Sequence, residues 1–151
     1  MSDHLARLTE LGLTLPPVVP PVAAYQPAIR SGAHVYVSGQ VPMVDGKLPE
    51  VGPVDTLELE RAQELARICA LNGLAAIDAL VGLNAVVRIV KVTGYVAASD
   101  VYTDHPKVIN GASELLGEVF GEAGRHARAA VGVSSLPMGA PVEVDMIAEV
   151  S

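Results

Sequence analysis

The sequence predicts an α+β domain in which two helices cover one face of a mostly antiparallel mixed sheet. Three observations carry that expectation. Two segments, one from Leu57 to about Leu80 and one around Val108 to Val119, repeat apolar residues at helical spacing. Five shorter segments, most of them rich in valine or alternating, read as strands and give the order ββαβαββ. The length of 151 residues, 50% of them hydrophobic, matches one domain built on one core.

Ser2 is placed to cap a short helix running through Leu11, with Leu5, Leu8 and Leu11 on one side and Gly12 as its stop. The PPVVPP stretch from Pro16 to Pro21 can be neither helix nor central strand, because proline has no N–H to donate and holds φ fixed. Residues 1–22 therefore read as an N-terminal helix and Pro-rich arm, and residues 23–151 as the α+β domain. Ala23 to Ile29 and His34 to Val37 form a hairpin turned at Ser31-Gly32. Ser38-Gly39-Gln40 follows, where a glycine lets a backbone N–H come close to a ligand, and Asp45-Gly46 marks a tight turn.

Asp55 and Glu58 resemble a capping box for the first long helix, whose Leu65, Ile68, Cys69, Asn72, Ala75, Ala76 and Ala79 share a face closed by Gly82. Val86 to Ala97 is a strand with Val90, Val92, Gly94 and Val96 on one side and Lys91, Thr93 and Tyr95 on the other. Thr103 or Asp104 caps the next helix, which carries Pro106 in its first turn and ends at Gly121 or Gly124. Ala127 to Ser134 and Val142 to Val150 flank the LPMG turn region, and a hairpin centred near Met138-Gly139 would pair Glu143 closer to Ser134 than to Arg128. One sheet face is left without a covering element. Symmetric self-association would bury it and create clefts between chains.

Composition narrows the function. The net charge is -7 and aromatics make up 3%, whereas nucleic-acid binders present basic stripes and stacking platforms, so no nucleic-acid partner is expected. Uncharged stretches are too short or too broken by proline to span a bilayer. The first residues lack the basic and apolar regions of a secretory signal, so no membrane association and a cytoplasmic location are expected. Cys69 is the single cysteine and reads as a small buried hydrophobe. His34, His105 and His126 fall on three different elements without metal-ligand spacing, and no metal or cofactor is expected.

Arg128 stands out because it lies in a strand of small residues, sharing a face with Ala130, Gly132 and Ser134. A guanidinium beside space floored by Ala130 and Gly132 can grip a small planar anion through two parallel hydrogen bonds; the more usual role of such an arginine is a structural ion pair with a nearby carboxylate. Glu143 projects from the final strand.

YVSGQVP at Tyr36 to Pro42, KVING at Lys107 to Gly111, and ARAAVGVSSLPMGAPVEVDMIA at Ala127 to Ala148 resemble the Rid family, also called YjgF/YER057c/UK114 and formerly L-PSP endoribonucleases. The resemblance runs from about Ala23 to the C-terminus and implies a chorismate-mutase-like fold and a homotrimer with clefts at the subunit boundaries. It also implies hydrolysis of reactive 2-imino acids to 2-keto acids and ammonia, without a cofactor. Carried over by residue, Arg128 matches the arginine that binds the substrate carboxylate, and Glu143 the acidic residue that positions or activates water. Tyr25, Ser38, Gly39 and Asn110 match further cleft residues. Ala130 stands where many deaminating members carry a cysteine, and the N-terminal helix and arm read as an extension marking a longer subgroup. A non-catalytic protein that binds small carboxylates is the alternative reading, and a ribonuclease is the third.

Overall fold

The computed structural model describes residues 3–21 and 23–151. Its elements are α1 (His4–Glu10), β1 (Ala28–Ser31), β2 (His34–Gln40), α2 (Leu59–Val81), β3 (Val86–Ala97), α3 (His105–Phe120), β4 (Ala127–Val133) and β5 (Val142–Val150). After α1 the order is ββαβαββ, as expected. The strands form one sheet in the order β1-β2-β5-β3-β4, antiparallel except for the β3–β4 pair. β5 alternates without a fault: Val142, Val144, Met146, Ala148 and Val150 are buried while the residues between them are half-exposed.

α2 and α3 lie together on one face. α2 is long and buries Leu65, Ala66, Cys69, Ala70, Leu74 and Ile77, a wider band than one stripe, because it meets both the sheet and α3. The two helices approach so closely at Gly111 that a β-carbon there would run into the backbone of Gln63. Asn72, 1% exposed, donates to the carbonyls of Val41 and Met43, both at 3.1 Å, and pins the segment after β2 to α2. Val108, Ala112, Leu115, Leu116 and Val119 of α3 are all buried at the spacing the sequence predicts.

Several boundaries differ from expectation for identifiable reasons. Ser2 lies outside the described residues; Asp3 caps α1, its side chain accepting from the Ala6 N–H at 2.9 Å. Leu8, with Leu11, Leu13 and Leu15 beyond it, packs against the main core, so α1 and the start of the arm are joined to the domain. β1 begins only at Ala28, directly after Pro27, which has no N–H to give a ladder. Asp55 caps no helix: it sits in a 3-10 turn, Val54–Thr56, and accepts from the N–H and hydroxyl of Ser99 at 3.0 and 2.6 Å. α2 therefore starts later, after Glu58, without a side-chain cap. Ala79, assigned to its apolar face, is exposed. In β3 a register shift between Ile89 and Lys91 puts Ile89 in the core and leaves Val90 half-buried.

The largest departure is in the final strands. β4 and β5 form no hairpin; they flank β3, one parallel and one antiparallel. The opposite face of the sheet has no covering element among the described residues and displays Ile29, Tyr36 and Val131, which are 54%, 45% and 44% exposed.

Candidate functional site

Arg128 lies opposite Val92 in the β3–β4 ladder, and Val92 points into the core, so Arg128 is on the helix side of the sheet. Its guanidinium reaches α3. Nη1 donates to Asn110 Oδ1 at 2.8 Å and to Ser113 Oγ at 3.1 Å, and Nη2 donates to the Pro106 carbonyl at 3.2 Å. Asn110 and Ser113 are one turn apart and share a face of α3, which is why one side chain meets both. A guanidinium has five N–H donors. The Nε–H and the second Nη2–H form no bond among the described residues, which leaves a free donor edge.

The space expected above Ala130 and Gly132 is filled. Ala130 packs against the core opposite Gly94, and a β-carbon at Gly132 would strike the His105 ring. Arg128 instead borders a shallow cavity of about 460 Å³ shared with Ser113, Gly117, Gly124, Arg125 and His126.

Ser113 and His126 are site residues that the sequence reading missed. His126 Nε2 lies 2.9 Å from Ser113 Oγ, and its Nδ1 lies 2.6 Å from the Gly124 carbonyl. Burial lowers the His126 pKa and the Arg128 charge adds to that effect, while the Gly124 carbonyl acts against both. The sequence carried only part of the signal: His126 lies two residues before Arg128 and Ser113 one helical turn after Asn110, but no spacing joins the two.

Glu143 lies opposite Tyr95, on the uncovered face. Within one chain, Arg128 and Glu143 are therefore on opposite sides of the sheet. The Glu143 carboxyl rests over Gly39, where a β-carbon would come within 2.8 Å of its Cδ and Oε2. The β2–β5 ladder shifts register between Val37 and Gln40, which frees Ser38 and Gly39 from pairing with β5. Tyr25, Val19, Pro20, Pro21 and Met138 line the same small cavity. Glu143 is half-buried there, and burial, then the nearby Asp145, raises its pKa above the ordinary carboxylate value. Asp145 is itself raised by burial, against the Tyr95 hydroxyl that donates to it at 3.0 Å and the charge of Lys91.

Tyr25, 44% exposed, stands at the mouth of this cavity. The Ser38 hydroxyl donates to the Gln26 carbonyl at 2.5 Å and its N–H to Pro27 at 2.9 Å, so Ser38 fixes the chain that carries Tyr25. The predicted residues thus form two groups, one of Arg128 and Asn110 and one of Glu143, Gly39, Ser38 and Tyr25. Cys69 is fully buried, which pushes its thiol pKa well up. Among the described residues no three His, Cys, Asp or Glu side chains gather to hold a metal ion, and no helix is long and apolar enough to cross a membrane.

Comparison with known proteins gives a consistent picture. A family model described as "YjgF/chorismate_mutase-like, putative endoribonuclease" matches residues 5–150, a span that includes α1 after its first residue and the Pro-rich arm. The chain is 42% identical over 149 residues to Protein TCP17 of Trypanosoma cruzi, covering 97% of this chain and 93% of that protein. It is 34% identical over 128 residues to the RutC family protein PH0854 of Pyrococcus horikoshii, covering 85% and 88%. Among solved structures, Atu1372 of Agrobacterium tumefaciens, described as of unknown function, superposes with a TM-score of 0.90 at 45% identity, covering 98% of this chain and 92% of that one. RidA from a Psychrobacter species superposes with a TM-score of 0.63 at 27% identity, covering 87% and 92%.

Proposed function

The chain belongs to the YjgF/Rid family, and on that premise we propose that it hydrolyses reactive 2-imino acids to 2-keto acids and ammonia in clefts between the subunits of a homotrimer. The observation that carries this reading is the free donor edge of Arg128, whose remaining N–H groups are held by α3. That edge suits a carboxylate, which two parallel N–H donors can grip in one orientation.

The placement of Glu143 supports an intersubunit cleft. It lies across the sheet from Arg128, on the face that carries exposed Ile29, Tyr36 and Val131, so a second copy covering that face can bring a Glu143 toward an Arg128. In such a cleft, Arg128 orients the imino acid by its carboxylate and Glu143 takes a proton from the attacking water. Water oxygen bonds to the imine carbon, the nitrogen is protonated, and the C–N bond breaks to release ammonia and leave a ketone. The imine is already electrophilic, so this route requires no metal or cofactor.

A non-catalytic carboxylate binder is the second reading, favoured by Ala130, which supplies no thiol beside Arg128. One neighbour of the fold, TdcF of Escherichia coli, was solved with bound serine, a small carboxylate. Against a ribonuclease stand the net charge of -7 and the engagement of His126 by Ser113.

The test generates short-lived imino acids with an amino-acid oxidase and follows their loss by semicarbazide trapping. The wild type should accelerate the loss, and Arg128→Ala should lower kcat/KM by one to two decades, since a charge-assisted bond contributes about 1.5 to 3 kcal/mol. Equal traces with and without protein, across small and bulky substrates, would transfer the reading to the binder.

A further inference from the structure

The contacts of Arg128 form a chain with a fixed direction. A guanidinium only donates, so Ser113 Oγ accepts from Nη1 at 3.1 Å, and its single proton is free to go to His126 Nε2 at 2.9 Å. That nitrogen must then be bare, which puts the ring proton on Nδ1, where it donates to the Gly124 carbonyl at 2.6 Å. Each member sets the next. Asn110 Oδ1 and the Pro106 carbonyl hold two further donors of the same guanidinium.

We propose that Ser113 and His126 are positioning residues: neutral His126 orients the Ser113 hydroxyl so that it accepts from Arg128, which holds the free Nε edge toward an incoming carboxylate. This rests on the reading of Arg128 as a carboxylate clamp. Protonating His126 reverses the chain, because a protonated Nε2 must donate to Ser113. Ser113 Oγ then accepts from both neighbours, its own proton finds no acceptor between them, and the two cations it bridges repel, so the Nη1 contact is weakened.

The surroundings of His126 determine the sign of the pH effect. Among the described residues, the charged ones lining its cavity are Arg125 and Arg128, with no carboxylate. From β3, Lys91 lies opposite Ala127, and Arg88 donates to the Arg125 carbonyl at 3.3 Å. The nearby carboxylates are committed or turned outward: Glu118 pairs with Arg67 at 2.9 Å, Glu122 is 3.7 Å from Arg125, and Glu114 is exposed. This largely cationic setting and the burial of the ring both favour the neutral form, so the lock persists at neutral pH and opens on the acidic side of the ordinary histidine value of 6.5.

Titrating the full-length protein with pyruvate as probe, across acidic to neutral pH, tests the relay. The wild type should bind more weakly as pH falls below that value. Ser113→Ala should weaken binding at neutral pH by about three- to ten-fold, as expected for one hydrogen bond, and should flatten the pH dependence. Ser113→Thr, which keeps a hydroxyl, should recover most of the loss. Nitrogen-15 NMR of the His126 ring should show a bare Nε2 and a protonated Nδ1, and the opposite tautomer overturns the relay directly. An unchanged affinity and pH profile in folded Ser113→Ala also overturns it. Absence of pyruvate binding by the wild type, or equal binding by Arg128→Ala, would instead remove the carboxylate clamp. In that case the rotation rate of the Arg128 Nη groups decides the relay: faster in Ser113→Ala supports it, and unchanged refutes it.

Discussion

Glu143 is a carboxyl kept in poor surroundings. It is half-buried, it is raised above its ordinary pKa by burial and by Asp145, and it rests against Gly39 rather than a donor. An acid whose folded pKa is raised costs nothing below its unfolded value, loses stability as pH rises from the unfolded toward the folded value, and carries the full cost above the folded value. Glu143→Gln should therefore raise Tm at pH 7 to 8, with the gain shrinking toward pH 4, while lowering imine turnover. A scanning calorimetry series across that range checks the first part; an equal Tm difference at both ends would show that burial of the charge is not the cause. Gly39→Ala is the matching steric test. It should reduce activity, because the new methyl displaces the Glu143 carboxyl that lies 2.8 Å from it. Arg128 and Glu143 were both legible as single residues in the sequence, since an arginine among small residues and a glutamate in an alternating strand are local patterns. Ser113 and His126 were not, because their meeting depends on how α3 crosses β4.

At the scale of elements, the contact between α2 and α3 is set by one position. A β-carbon at Gly111 would overlap the Gln63 backbone, which cannot step aside as a side chain can. Gly111→Ala should destabilise the fold by about 1 to 3 kcal/mol, the usual cost of overpacking. At about 2 to 4 °C per kcal/mol for a chain of this size, thermal unfolding resolves that loss. The same helix carries Asn110, so the variant should also weaken ligand binding. Periodicity located α2, α3, β3 and β5 to within a few residues because each buries a continuous face. It failed for the capping box, since Asp55 is held by Ser99, 44 residues away in sequence. It also failed for the pairing of the last strands, because alternation records which side chains are buried and is silent about the neighbouring strand.

For the whole molecule, the uncovered sheet face is the feature to explain, and the proposed trimer would bury it. Val131→Glu places a charge on this face at a site 44% exposed in the single chain, so it should leave the fold intact while shifting light-scattering mass toward the monomer and removing imine turnover. A mutant that remains trimeric and active would place the subunit contact elsewhere. The central position of β5 has a consequence for biosynthesis. It follows every other strand in the chain yet separates β2 from β3, so the halves of the sheet cannot join until β5 has been translated. A nascent chain stalled one strand short would expose two unpaired edges and an open apolar seam, the kind of surface that trigger-type chaperones shield and proteases find. Stalled chains that hold β5 inside the ribosome should therefore stay protease-sensitive until β5 clears the exit tunnel, and then become resistant in a single step.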